Sequence, residues 1–162
     1  LYARIEAGEL SLHMETFNAG NVFAETISMF YEDFVGKSCE PKIDLCPEPC
    51  WLCADRQAFV RILENIIKNA LFHGIGDYAL SLRQKGQYAV IRVSNKTESI
   101  SVEDLECIFD RFYTTDRSRS RKATGLGLSI VKELTEQMHG EAVAVLENDV
   151  FSIEVQFPIQ EK

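Results

Sequence analysis

Two asparagines, two glycines and a run of arginines are the residues of this 162-residue chain whose types and spacing could do chemistry. Asn65 and Asn69 stand four apart in a stretch whose apolar residues, Phe59, Ile62, Leu63, Ile66, Ile67 and Ala70, recur at helical spacing. Both amides therefore share one face, at the edge of the apolar stripe. Asparagine costs helix propensity in a helix interior. An amide oxygen there suits a hard, hydrated cation such as Mg2+, and bonding to a neighbouring loop is the structural alternative. Gly125-Leu126-Gly127-Leu128 leads into a second helical pattern. Glycine permits close backbone approach, and the free N–H groups at a helix start favour phosphate, although two glycines also suit a plain helix start. Residues 110–122 carry five basic side chains against two acidic ones. Such a Ser- and Thr-rich segment could close over a polyphosphate or remain a solvated loop. The three features converge on one ligand class, an Mg-bound polyphosphate.

The elements that must hold these residues are legible in turn. Asn18 is a plausible N-cap for a helix through Val22, Phe23, Ile27, Phe30, Tyr31 and Phe34, ending near Gly36. Asp55 caps the helix that carries the asparagines, which stops near Gly74. Residues 11–17 read as a strand, and residues 42–54 as two short strands around Pro47 and Pro49. Residues 78–82 and 88–93 alternate around Lys85-Gly86 as a hairpin, and residues 102–109 suggest a short helix. Ile130, Val131, Leu134 and Met138 mark a last helix, ended by Gly140. Strands over 142–146 and 151–157 flank the turn pair Asn148-Asp149. The sum is an α+β fold, a two-layer α/β sandwich with three main helices on one face of a mixed β-sheet.

Composition narrows the class. With 46% hydrophobic and 26% charged residues the chain is an ordinary globular one. The net charge of −8 argues against general nucleic-acid binding, and no apolar run reaches membrane-span length. Five cysteines are an odd number, three of them crowded as Cys46, Cys50 and Cys53. The Cys50-Trp51-Leu52-Cys53 spacing suits zinc, but no second Cys/His pair completes a ligand set, so small buried thiols on short strands are the favoured reading. Unpaired thiols point to a reducing compartment. The chain opens on Leu1 and reads as a piece of a longer protein, with residues 1–10 as a helix tail and linker and 11–162 as the domain.

Asn65-Ile66-Ile67-Lys68-Asn69-Ala70, Phe109-Asp110-Arg111-Phe112-Tyr113 and Thr124-Gly125-Leu126-Gly127-Leu128-Ser129-Ile130-Val131 resemble, in order and spacing, the N, F and G2 boxes of bacterial sensor histidine kinases. The resemblance covers nearly the whole chain. It implies a Bergerat-type ATP-binding domain, with Mg-ATP as ligand and phosphoryl transfer to a His as the reaction. It also implies a separate dimerisation and phosphoacceptor domain, a response regulator as partner and a homodimer in the full-length protein. The setting would be a cytoplasmic domain of a bacterial cell-membrane protein, anchored by upstream segments.

Carried over position by position, Asn69 would hold Mg2+ and Asn65 would lie beside the phosphates, with His73 closing the N box. Thr124, Gly125, Leu126, Gly127 and Leu128 would form the phosphate turn, Arg117 and Arg119 would neutralise charge, and Phe109 and Phe112 would anchor the root of the basic segment. Related ATPases carry a Glu base where Asn65 stands, so simple hydrolysis is disfavoured.

Two departures matter. The phosphoacceptor His is absent, since His13, His73 and His139 are not in its setting. The G1 box, Asp-x-Gly-x-Gly before an Ile in the family, here reads Asn95-Lys96-Thr97-Glu98-Ser99-Ile100. Asn95 accepts a hydrogen bond without charge, and Thr97 and Ser99 disfavour positive φ. Weaker binding of the adenine end, by ~1–3 kcal/mol, is expected. The alternative is a pseudokinase-like docking module that has lost ATP binding.

Overall fold

Asp55 starts the helix around which the domain is arranged. One oxygen of its carboxylate accepts from the Ala58 N–H at 2.9 Å, and the other accepts from the His13 N–H at 2.8 Å. The first bond satisfies an orphan donor of the helix, and the second draws the approach to the first strand onto the same cap.

The computed structural model describes residues 3–4, 10–113 and 127–161. In chain order they form β1 (Met14–Asn18), α1 (Ala19–Met29), α2 (Tyr31–Gly36), β2 (Lys42–Leu45), β3 (Trp51–Asp55), α3 (Arg56–His73), β4 (Gly76–Lys85) and β5 (Tyr88–Lys96). A 3-10 turn (Glu103–Glu106), α4 (Gly127–Gln137), β6 (Glu141–Glu147) and β7 (Val150–Pro158) complete the list. Five strands make a mixed sheet in the order β2-β4-β5-β7-β6, with only β2 and β4 parallel. β1 and β3 form a separate antiparallel pair, and its strands run directly into α1 and α3.

Strand alternation decides what faces the helices. Ala89, Ile91, Val93 and Asn95 of β5 are buried, as are Tyr78, Leu80 and Leu82 of β4 and Phe151, Ile153, Val155 and Phe157 of β7. The stripe of α3 packs on this face, with Phe59 between Phe17 and Phe157 at centroid distances of 5.3 and 5.6 Å. Full burial of such a ring stabilises by roughly 1.5–3 kcal/mol. Asn95 thus inherits an inward position from the same alternation that buries its apolar neighbours.

The structure departs from the sequence reading in two places. The helix expected from Asn18 to Gly36 breaks at Phe30, whose N–H bonds Ile27 O at 3.0 Å and whose backbone leaves the helical region at φ −102° and ψ 7°. Residues 102–109 hold only the single 3-10 turn. The two short strands read on either side of Pro47 and Pro49 are present, and they join different sheets: β2 joins the large sheet and β3 joins β1. The helix tail expected over residues 1–10 lies largely outside the described residues.

Candidate functional site

On α3, Asn65, Asn69 and His73 follow one another at i, i+4 and i+8, and all three are half-buried. At 1.5 Å of rise per residue they form a polar line about 12 Å long beside the apolar stripe. The two ends of that line meet different parts of the chain.

At the first end stands α4. Its opening residue, Gly127, packs against the Asn65 side chain so closely that a Cβ there would lie 3.1 Å from Asn65 Oδ1 and 3.9 Å from its Cγ. Space, not a positive φ, is what makes glycine the fitting residue here. The Asn65 amide is itself fixed: its Nδ2 donates to Arg61 O at 2.8 Å, which turns Oδ1 toward the helix start. The first turn of α4 brings the positive end of its dipole to this point. Leu128 and Ser129, the next two residues, are buried and seat the turn on the core.

At the other end, Gly74 terminates α3 against the sheet. A Cβ on Gly74 would lie 2.4 Å from Ala70 O, 2.5 Å from Tyr78 Cε1 and 2.9 Å from Asn95 Cβ. The Tyr78 hydroxyl donates to Gly74 O at 2.8 Å, and burial pushes its pKa up. Asn95 is 1% exposed, and its Nδ2 donates to Lys96 O at 3.1 Å, so the amide oxygen is the end left to accept.

The segment after Asn95 is built from hydroxyls. Thr97 Oγ1 reaches His73 O at 3.4 Å and accepts from the Ser99 N–H at 3.2 Å, with Ser99 Oγ also 3.2 Å away. Neither Thr97 nor Ser99 has a positive φ. A local hydroxyl turn holds this segment without the left-handed backbone that favours glycine. Ile100, also carried over from the box, is buried against the core. Lys96 pairs with Asp149 at 3.1 Å, an interaction that raises its pKa.

Of the two rings expected to anchor the root of the basic segment, Phe109 packs on the core but Phe112 does not. Phe112 is 63% exposed at φ 61°, with the Arg111 guanidinium 5.1 Å from its ring centroid. Tyr113, which the sequence reading passed over, makes the attachment instead. Its hydroxyl bonds Asp104 Oδ1, while Asp104 Oδ2 accepts from Ser101 N at 2.7 Å and Ser101 Oγ at 2.9 Å. A Ser-x-x-Asp pattern ahead of the 3-10 turn was the available signal. Arg117, Arg119, Thr124, Gly125 and Leu126 lie outside the described residues. Among the described residues no group of three or more His, Cys, Asp or Glu side chains could hold a metal. No described helix is long and apolar enough to cross a membrane.

Comparisons with known proteins show the family and the fold. Residues 54–161 match the family model described as "Histidine kinase-, DNA gyrase B-, and HSP90-like ATPase". The chain is 29% identical over 142 residues to the sensor histidine kinase YcbM of Bacillus subtilis (strain 168), covering 85% of this chain and 46% of that protein. The chain thus spans less than half the length of that curated relative. Among solved structures, the catalytic domain of histidine kinase ThkA in a nucleotide-free form matches with a TM-score of 0.80 at 22% identity, covering 91% of this chain and 96% of that one. Full-length ShkA in complex with AMPPNP matches with a TM-score of 0.86 at 19% identity, covering 99% of this chain and 34% of that one. Both structures share the two-layer fold.

Proposed function

This chain belongs to the histidine kinase-, DNA gyrase B- and HSP90-like ATPase family, and on that premise we propose that it binds Mg-ATP along the Asn65–Asn69–His73 line and presents the γ-phosphate to a histidine. The observation that carries the reading is the closeness of Gly127 to Asn65, which puts a helix N-terminus and an oriented amide oxygen on one spot. Asn69, one turn along α3, offers an amide oxygen of the kind Mg2+ accepts. Asn95, at the far end of the line, offers a buried acceptor for the adenine amino group.

In this reading Asn69 holds the metal, which supplies neutralisation of the phosphate charge. Asn65 keeps water from being a nucleophile, because an amide cannot take its proton at neutral pH. The γ-phosphate is thereby preserved for an imidazole nitrogen. A new N–P bond forms as the bond to the ADP oxygen breaks, and positioning does most of the work. His73 contributes its backbone carbonyl to the Thr97 hydroxyl and so braces the base end.

The imidazole belongs to a dimerisation domain preceding residue 11, in a homodimer, and a response regulator receives the phosphoryl group from it. The full-length protein is a membrane-anchored sensor with this domain in the cytoplasm. A longer protein that carries this domain with its phosphoacceptor region tests the proposal. With γ-labelled ATP it becomes labelled at a His, with acid-labile and base-stable label, and Asn69→Ala abolishes labelling. Labelling that survives Asn69→Ala, or none in the parent, contradicts it; the second result favours the docking module, as the altered segment after Asn95 would then explain.

A further inference from the structure

β2 leaves one side of the large sheet open. It stands at the end of the order β2-β4-β5-β7-β6, and among the described residues no strand pairs with its outer side. Its parallel register on β4 sets which backbone groups are unused. The Cys46 N–H donates to Leu82 O at 2.9 Å. By alternation Lys42 and Asp44 also turn their backbone groups toward β4, while Ile43 and Leu45 turn theirs outward. The side chains alternate as well. Asp44 pairs with Arg83 on one face of the sheet. Ile43 and Leu45 lie on the other face, where with Ile27, Tyr31 and Phe34 they line an apolar cavity of about 290 Å3 between β2, α1 and α2. Ile43 is 51% exposed and Tyr31 66%, so an apolar patch adjoins the open edge.

The residues of β2 select what pairs there. A second, antiparallel copy of Lys42-Ile43-Asp44-Leu45 can bring outward-facing residues opposite each other in two neighbouring registers. Centred on Asp44, the pairing sets two carboxylates directly opposite, which is destabilising. Centred on Ile43, it sets Lys42 of each copy opposite Asp44 of the other, and the two Ile43 residues exchange both backbone hydrogen bonds. Lys42 has no acidic partner among the described residues, so its charge is free to serve this contact. Pro41 lacks an N–H and ends the pairing. We propose that β2 is a self-association edge: a second copy of this chain adds to it antiparallel, in the register centred on Ile43, and continues the sheet from one copy into the other. The two Ile43 side chains then meet on the cavity side and cover apolar surface that a single chain exposes. The contact closes at two copies, because a two-fold axis uses the same strand of both. It uses no residue of the Asn65–Asn69–His73 line, so it stands or falls apart from the nucleotide reading.

Sedimentation equilibrium of the chain over a range of concentrations, without nucleotide, tests this. Wild type is expected to form a concentration-dependent dimer, and Ile43→Lys to abolish it. Lys42→Glu sets Glu opposite Asp44, and Asp44→Lys sets Lys opposite Lys42; each is expected to weaken self-association about tenfold or more. Mixed in equal amounts, these two variants regain both opposite-charge pairs and form a mixed dimer. Lys42→Glu alters a residue with no ion pair in the single chain, so it keeps the test valid where Asp44→Lys does not fold. A wild type that stays monomeric throughout overturns the proposal and leaves the edge to a different extended segment. So does a dimer that Lys42→Glu leaves intact, or a mixture of two folded variants that stays monomeric.

Discussion

Gly127 at the start of α4 and Asn65 on α3 occupy one space: a single methyl added to the glycine would stand 3.1 Å from the Asn65 amide oxygen. The neighbour that must yield is a short side chain already bonded back to Arg61 O. Gly127→Ala is therefore expected to displace the amide and weaken Mg-ATP binding about five- to thirty-fold, the equivalent of ~1–2 kcal/mol. In Gly127→Ala/Asn65→Ala the displaced group is gone, so the two losses are less than additive. Calorimetric titration of the four proteins closes the cycle. Additive losses would mean that the two residues do not act on one site.

Gly74 is the second close approach, and a less forgiving one. Its added Cβ would meet backbone, Ala70 O at 2.4 Å, as well as the buried Tyr78 ring and Asn95. Gly74→Ala is expected to lower stability by ~2–4 kcal/mol in denaturant unfolding, through overpacking that separates α3 from the sheet. Gly36→Ala, where a Cβ meets nothing within 4 Å, serves as the control and changes stability by less than about 1 kcal/mol.

Asn95 carries the prediction for the base end. Restoring a charged acceptor with Asn95→Asp strengthens the hydrogen bond to the adenine amino group, since charge-assisted bonds are about twice as strong as neutral ones. ATP affinity should rise about five- to thirty-fold in a titration. The gain is expected for ADP and adenosine as well, and to be absent for inorganic triphosphate, which has no base. An equal gain for triphosphate would place the effect elsewhere.

Burial of Cys50 makes stability depend on alkaline pH. Burial pushes its thiol up to about 11 in the folded chain, from an ordinary 9.0. Between those values the unfolded chain ionises first and so binds fewer protons, and stability falls as pH rises. The contribution is nil below about pH 9, and by about pH 11 it has cost up to ~2–3 kcal/mol. The raised values of Cys46 and Tyr78 act in the same direction. Unfolding curves under reducing conditions at a series of pH values measure the slope, and Cys50→Ala makes it shallower. An unchanged slope in that variant removes Cys50 as its source.

Much of this arrangement was legible in the sequence because it rests on short-range rules. The Asp55 cap, the apolar spacing of α3 and the four-residue separation of Asn65 and Asn69 are local, and α3 follows them. What escaped depends on contacts between distant segments. Nothing local announces that the helix after Asn18 breaks at Phe30 or that β2 and β3 join different sheets. The same holds for Phe112 and Tyr113. Both are aromatic residues in one box, and only the position of Asp104 selects the tyrosine as the attachment. The segment after Asn95 is a separate case: Thr97 and Ser99 carry hydroxyls that bond locally, and neither residue takes a positive φ.

The central claim is that the Asn65–Asn69–His73 line holds a metal-bound triphosphate, and calorimetric titration of the chain with ATP, with and without Mg2+, tests it most directly. Saturable binding that tightens at least about tenfold with Mg2+ is predicted, and that Mg2+ dependence should disappear in Asn69→Ala. No heat at millimolar ATP, or binding indifferent to both Mg2+ and Asn69, would contradict it.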